Sequence, residues 1–256
     1  MRAVRKLFLW IFILFLLPAL GAVAWWAGVE RPGSWREANW TSANILPNPS
    51  SEKQAVVYIM SARTGGLKGA LSQHSWIVTK AKNASQYDRY DKVGWGNPVR
   101  KNAYAADANW YSNRPKFVKT IKGDEAANLI PKIERAIQNY PHANRGGYKI
   151  WPGPNSNSFV AHVLRQVPQI GIVLPSNAVG RDYIAGNKLF YASPDGLDYE
   201  LSLFGYAGLA AGYRSGFEFN FFGLVTGVDV INPAIKLPGF GRIGIREVVA
   251  GELLSK

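Results

Sequence analysis

The chain has 256 residues, 47% of them hydrophobic and 18% charged, which is enough to bury the core of an ordinary domain and argues against intrinsic disorder. It contains no cysteine, so disulfides, thiolate metal sites and a cysteine nucleophile are excluded. Lys and Arg number 30 against 17 Asp and Glu, and the net charge of +13 attracts the protein to acidic surfaces.

The N-terminus predicts a membrane segment. Residues 7–29 carry no charge and follow a basic stretch, and they are long enough to cross a hydrocarbon core of ~30 Å. The basic flank predicts a cytoplasmic N-terminus and an exported remainder. A cleaved signal peptide is the alternative, since residues 22–24 (AVA) form a small-x-small site. Trp25 and Trp26, placed like interfacial anchors, favour a single retained span in a bacterial inner membrane, with a periplasmic domain.

Export decides which acidic partners the basic charge meets. The sequence has no zinc-finger spacing and no block of basic residues, so we expect no nucleic acid partner. We expect the membrane itself as a partner, through the anchor and anionic lipid, together with a wall peptide or lipid as ligand.

A Pro- and Asn-rich linker and a group of strands follow the anchor. Residues 31–52 form the linker. Between the first two strands, Arg63 and Lys68 flank a Gly-Gly pair, which is typical of a hairpin turn or, alternatively, of a cradle for an anion. The predicted strands are residues 55–62, 74–80, 87–95 and 117–121.

Two helices and a glycine-rich region complete the chain. Residues 124–140 have apolar residues at helical spacing and an acidic first turn. A Pro-Gly-Pro turn precedes a second helix, which is capped by Asn155 or Ser156 and ends before Pro168. Beyond residue 170 we expect short strands and loops that cover the core or rest on the bilayer, with residues 207–212 and 224–230 as interfacial candidates.

The turn before the second helix is the most informative place for chemistry. A hydroxyl at a helix start lies beside unpaired backbone N–H groups, which stabilise an oxyanion. Ser156 is there, and His74, at the start of a strand, is the best candidate for its general base. The simpler interpretation is that Ser156 is a helix cap and His74 a partly buried strand residue.

Three strings carry a resemblance to known proteins: residues 62–70 (ARTGGLKGA), 74–77 (HSWI) and 151–159 (WPGPNSNSF). They resemble the bacterial envelope proteins grouped as domain of unknown function 3750. More distantly, a histidine-bearing strand followed by Asn-x-Asn-x-Phe at a helix start is similar to circularly permuted papain-like hydrolases. That resemblance implies Ser156 where those enzymes have a cysteine nucleophile, and His74 as the base.

The resemblance also implies a fold and its boundaries. The expected class is α+β: an N-terminal transmembrane helix, then a permuted papain-like antiparallel sheet packed on two helices, with a Gly-rich C-terminal extension. The expected units are an anchor or signal segment at 1–30, a linker at 31–52, the papain-like core at 53–170 and the extension at 171–256.

A third residue should orient His74, and the following strand offers four candidates: Gln86, Asp88, Tyr90 and Asp91. Asp88 and Asp91 are an odd number apart, so at most one of them faces the site. The expected ligand-binding residues are Asn155, Asn157, Trp76, Trp151 and Arg63.

We expect no metal and no cofactor, because His74 and His162 have no carboxylate neighbour at ligand-like spacing, and His142 lies in a loop. The leading hypothesis is an anchored hydrolase of amide or ester bonds. Its rivals are a non-catalytic protein of the same fold that binds peptide, lipid or wall fragments, and an assembly factor that docks on a membrane partner through the Gly-rich region.

Overall fold

A computed structural model describes residues 1–244. The N-terminal helix, Arg2–Ala27, consists of α1 (Arg2–Ile11), a π-helical turn (Phe12–Leu16) and α2 (Leu17–Ala27). Pro18 lacks the N–H of a regular helix, which accounts for the altered hydrogen bonding in the preceding turn. In the described part of the chain, this is the one helix long and apolar enough to cross a membrane.

Residues 31–52 contain no helix and no strand beyond an isolated bridge, but they are held against the core. Asp107 accepts hydrogen bonds from the Ser42 hydroxyl and from the N–H groups of Ile45 and Leu46. The Trp40 ring packs edge-on against Trp110 at 5.1 Å. The predicted linker is therefore a fixed strap on the domain.

The first sheet has five antiparallel strands in the order β4-β3-β2-β1-β5. All four predicted strands are present, and the third ends earlier than predicted, at Lys92. The short β4 was not predicted because three mostly polar residues carry no periodic signal. The loop before β2 contains a 3₁₀ turn, Gly66–Ala70. The strands are β1 (Val56–Arg63), β2 (Gln73–Lys80), β3 (Asp88–Lys92), β4 (Val99–Lys101) and β5 (Lys116–Lys122).

Two helices share a hydrophobic core with this sheet. They are α3 (Gly123–Gln138) and α4 (Ser156–Gln166), each within two residues of its predicted range. Ile133 of α3 and Phe159 of α4 are fully buried in the same cluster as Ile59 and Ile77 of the sheet. The helical spacing of apolar residues therefore marked the buried faces correctly.

A second sheet occupies the glycine-rich region. It has seven antiparallel strands in strict sequence order, from β6 to β12. Glycines allow its strands to approach closely, since a Cβ on Gly227 would lie 2.3 Å from the Phe217 carbonyl oxygen. The strands are β6 (Phe190–Ala192), β7 (Asp198–Leu203), β8 (Ala207–Gly212), β9 (Gly216–Phe221), β10 (Leu224–Asp229), β11 (Ala234–Leu237) and β12 (Gly241–Gly244).

The expected α+β class, with an N-terminal apolar helix and antiparallel sheets, is confirmed. The last part of the predicted extension, residues 245–256, lies outside the described residues. A partly buried ion pair between Arg165 of α4 and Glu200 of β7 joins the second sheet to the first unit.

Candidate functional site

A cavity of about 450 Å³ lies between the start of β2, the start of α4 and the β9–β10 turn. His74 and Ser156, 82 positions apart in the sequence, both line it, with Trp110, Trp151 and Asn157. The Asn157 side chain donates to the carbonyl oxygen of Gln73 at 2.8 Å, which ties the helix start to the residue before His74. The fold thus brings the two predicted reactive residues to one cavity.

The His74 ring is held on two sides. Its Nε2 lies 2.8 Å from Oδ1 of Asp91, and the ring stacks on Trp110 with centroids 3.6 Å apart and planes inclined by 2°. The residue is 4% exposed. A ring fixed by one hydrogen bond and one stacked face has little freedom to rotate, which a positioned base requires.

Asp91 is the hydrogen-bond partner of the His74 ring, a role for which the sequence offered four candidates. Asp88 bonds instead to Asn102 and Lys101 at the sheet edge, while the Tyr90 hydroxyl donates to Glu134. Gln86 lies in the exposed loop before β3. Asp88 and Asp91 therefore face opposite sides of the strand, as their odd separation required.

Arg89 completes a buried chain of charges behind His74. Its guanidinium donates to both carboxylate oxygens of Asp91, at 2.6 and 3.0 Å, and lies over the Trp76 ring. Burial, the largest influence, tends to raise the pKa of Asp91, but Arg89 and the His74 hydrogen bond outweigh it and lower that pKa. Asp91 is therefore a carboxylate at neutral pH.

The protonation of His74 follows from these contacts. Burial lowers the pKa of His74, and the hydrogen bond and charge of Asp91 offset this only in part. The ring is therefore neutral at pH 7. Because a carboxylate only accepts hydrogen bonds, we assign the ring proton to Nε2, which leaves the lone pair of Nδ1 as a proton acceptor.

The start of α4 corrects one expectation about the oxyanion. Asn155 is the N-cap, and its Oδ1 accepts from the N–H groups of Asn157 and Ser158 in a capping box. These two donors are consumed by the cap and are not free for a substrate. Of the first N–H groups of the helix, the one on Ser156 is not used by the cap.

Ser156 is 4% exposed at the first position of α4. Among the described residues, no hydrogen bond joins its hydroxyl to the His74 ring. Catalytic hydrogen bonds are often long without a ligand and tighten when substrate binds.

The five residues predicted to bind ligand separate into two groups. Asn155, Asn157 and Trp151 line the cavity. Trp76 is fully buried and donates to the Ala106 carbonyl, outside the lining. Arg63 also lies outside it and donates to carbonyl oxygens of Gly69 and Gly239.

Several lining residues carry no signal in the sequence that assigns them to a site: Gln73, Tyr111, Tyr148, Val179, Phe222 and Leu224. No local pattern distinguishes the Trp110 ring, which stacks on His74, from a tryptophan in a core.

The other two histidines lie outside the cavity lining. The His142 ring packs between Tyr140 and Tyr183. His162 lies on α4 against Tyr140, and its Nε2 is buried without a hydrogen-bond partner in the described part of the chain. Burial lowers the pKa of His162 to about 4 from 6.5.

His162 predicts a pH-dependent contribution to stability. The pKa of His162 is lower in the folded state than in the unfolded state, so the unfolded state binds more protons between pH 6.5 and 4. The free energy of unfolding therefore decreases as the pH is lowered through that window. Between pH 7 and pH 4, the free energy of unfolding of the wild type should fall by up to about 3 kcal/mol more than that of His162→Gln. Thermal unfolding of both proteins across that range measures it. Equal pH profiles would contradict the prediction, and His142→Gln, at a more open site, should show a smaller difference.

Comparison with protein families gives one match. The family described as "Protein of unknown function (DUF3750)" matches residues 54–183, just over half of the chain. The match covers the first sheet, α3 and α4, including His74, Asp91 and Ser156, but not the β9–β10 turn on the other side of the cavity. Comparison with curated proteins found no significant match, and comparison with solved structures found none.

Proposed function

This chain belongs to the DUF3750 family, and we propose that it is a membrane-anchored hydrolase of amide or ester bonds in the bacterial cell envelope. The observation that carries the proposal is the neutral His74, fixed by Asp91 and Trp110, on the same cavity as Ser156. This order, a histidine on a strand and a nucleophile at a later helix start, also supports a permuted papain-like arrangement.

The reaction begins with proton transfer from Ser156 to His74. As the Ser156 oxygen forms a bond to the substrate carbonyl carbon, Nδ1 of His74 takes the hydroxyl proton, and Asp91 stabilises the resulting imidazolium. The Ser156 N–H donates to the developing oxyanion. His74 then returns the proton to the leaving amine or alcohol, and an acyl-enzyme remains.

Water completes the cycle. His74 takes a proton from a water molecule, whose oxygen attacks the acyl-enzyme carbonyl carbon. The bond to the Ser156 oxygen breaks, the proton returns to that oxygen, and the carboxylic acid leaves. Serine is much less acidic than the cysteine of papain-like enzymes, so this chemistry depends more strongly on the orientation of His74.

A second candidate function is binding without catalysis. Two observations favour it: the helix-start donors occupied by the Asn155 cap, and the absence of a Ser156–His74 hydrogen bond among residues 1–244. In that case, the cavity would hold a peptide, lipid or wall fragment through Trp151 and Asn157.

The N-terminal helix supports anchoring in the inner membrane with the cavity on the periplasmic side. Trp26 donates to the Gly66 carbonyl at 2.9 Å, so the helix end contacts the loop that precedes β2. Experiments should therefore use the full chain in detergent, because deletion of residues 1–30 removes a contact of the domain.

The test compares labelling of the full chain by a fluorophosphonate probe in wild type, Ser156→Ala and His74→Ala. We expect wild type to be labelled and both variants to lose labelling by about 10³-fold or more, as when a nucleophile or its base is removed. A folded wild type that is not labelled would overturn the hydrolase proposal.

A cysteine variant gives an independent readout. The chain has no natural cysteine, so Ser156→Cys introduces its one thiol. A histidine that takes the thiol proton creates a reactive thiolate. Alkylation by iodoacetamide at pH 6 should therefore be faster in Ser156→Cys than in Ser156→Cys with His74→Gln. Equal rates would favour the binding-only function.

A further inference from the structure

The second sheet presents an apolar surface outward. In register, one row of cross-strand neighbours crosses all seven strands with no charged residue: Ala192, Tyr199, Ala211, Phe217, Val228, Ile235 and Ile243. A second row runs through Phe190, Leu201, Leu209 and Phe219. Phe217 is 43% exposed and Ile235 49%. At ~4.8 Å between strands, the outward face is roughly 29 Å wide.

The opposite face of the same sheet carries its charges, and they are paired. Glu218 accepts hydrogen bonds from both Arg181 and Lys236, and all three side chains are buried. Glu200 pairs with Arg165. In register, Glu200, Glu218 and Lys236 belong to one inward row.

An outward apolar face and an inward charged face are the reverse of the arrangement expected for a sheet in water. An antiparallel sheet with one wet face places polar residues on that face and apolar residues in the core. Exposed apolar patches on soluble monomers seldom exceed a few hundred Å², and larger ones mark contact with a membrane or another protein. The charged side chains on the inward face of the sheet already have ion-pair partners in the domain. This face therefore could not be turned towards water without breaking those buried pairs.

Contacts between the sheet and the N-terminal helix indicate what lies against the outward face. Phe15, in the middle of the apolar segment, packs on Phe221 at the end of β9 with ring centroids 5.6 Å apart. A Cβ on Gly21 would lie 3.9 Å from the Phe240 ring, and Ala22 contacts Gly239 in the β11–β12 turn. From Phe15 to Ala22 the helix rises about 10 Å, so the sheet follows the helix along part of its apolar length.

We propose that the outward face of the sheet β6–β12 lies against lipid acyl chains of the membrane that the N-terminal helix enters. A surface that runs alongside a membrane helix meets the same acyl chains as the helix, and an uncharged apolar row is what the acyl-chain boundary tolerates. The assignment rests on the membrane insertion proposed above and is independent of hydrolysis.

The test uses single-cysteine variants of the full chain. No native cysteine has to be replaced first, because the protein contains no cysteine. Phe217→Cys and Ala211→Cys place a fluorescent NBD label in the outward row. Ala211→Cys adds a single sulfur atom and so disturbs folding least. Leu14→Cys on the exposed side of the helix is the lipid control, and Lys132→Cys on the exposed side of α3 is the water control.

In liposomes, we expect labels at 211, 217 and 14 to lose about half of their fluorescence when the lipids carry doxyl groups on their acyl chains, and a label at 132 to be unchanged. Quenching at 14 without quenching at 211 or 217 would overturn the inference while leaving the anchor intact. No quenching at 14 would overturn both. If labels at 211 are not quenched but show energy transfer between differently labelled chains, the outward face contacts a second copy of the protein instead of lipid.

Discussion

Asp91→Asn is expected to slow fluorophosphonate labelling of Ser156 by about 10⁴-fold, the loss seen when the carboxylate of a catalytic triad becomes an amide. The physical reason is the tautomer of His74. An Asn side chain can donate to Nε2, which moves the ring proton to Nδ1 and removes the lone pair that accepts the Ser156 proton. Labelling rates of wild type and variant, corrected for the folded fraction, measure the effect.

The same substitution also leaves the buried Arg89 without its counterion, so we expect the unfolding free energy to fall by about 3–5 kcal/mol. Asp88→Asn is the matched control on the same strand. Its pair with Lys101 lies at the partly exposed edge, and its loss should cost less than about 1 kcal/mol and leave labelling unchanged. Normal labelling of folded Asp91→Asn would contradict the orienting role of Asp91.

Glu218→Gln should be the most destabilising single change in the second sheet. Glu218 lies between Arg181 and Lys236, and the side chains of all three are at most 6% exposed. The neutral amide would remove the carboxylate that pairs with Lys236 and leave Arg181 with Asp182 alone, 3.7 Å away, and a broken buried pair costs about 3–5 kcal/mol. The midpoint of thermal or urea unfolding of the full chain in detergent measures the loss.

Glu125→Gln provides a comparison of the same chemistry at an exposed position. Glu125 lies in the first turn of α3, where a carboxylate contributes about 0.3–1 kcal/mol through the helix dipole. An equal, small effect of both substitutions would mean that the Glu218 cluster does not hold the sheet to the domain.

The outward face of the second sheet shows where local pattern stops being informative. Phe217 and Phe219 alternate with Glu218 and Asn220, and such alternation predicts a strand with one apolar face. By itself it assigns the apolar face to the core. The structure has it outward because Arg181, far from the strand in sequence, pairs with Glu218 on the inner side.

The candidate site divides in the same way. Ser156 and His74 were predicted as nucleophile and base from a helix start and a strand start, and the parity of Asp88 and Asp91 limited the choice of the orienting residue. Contact of Asp91 with His74 depends on how β2 and β3 pair, since Ile77 lies opposite Tyr90. The expected oxyanion donors were wrong in part because the sequence did not distinguish Asn155 from Ser156 as the cap.

Periodicity, capping residues and apolar length are properties of neighbouring residues, so the sequence by itself determined the N-terminal helix, the strands β1, β2, β3 and β5, both core helices and the two candidate residues for the chemistry. Pairing across long separations depends on the register of the strands and on which buried charges meet. Only the tertiary structure therefore decided that Asp91 and Trp110 hold His74, that the Asn155 cap consumes two backbone donors, and that the glycine-rich sheet turns its apolar side outward beside the N-terminal helix.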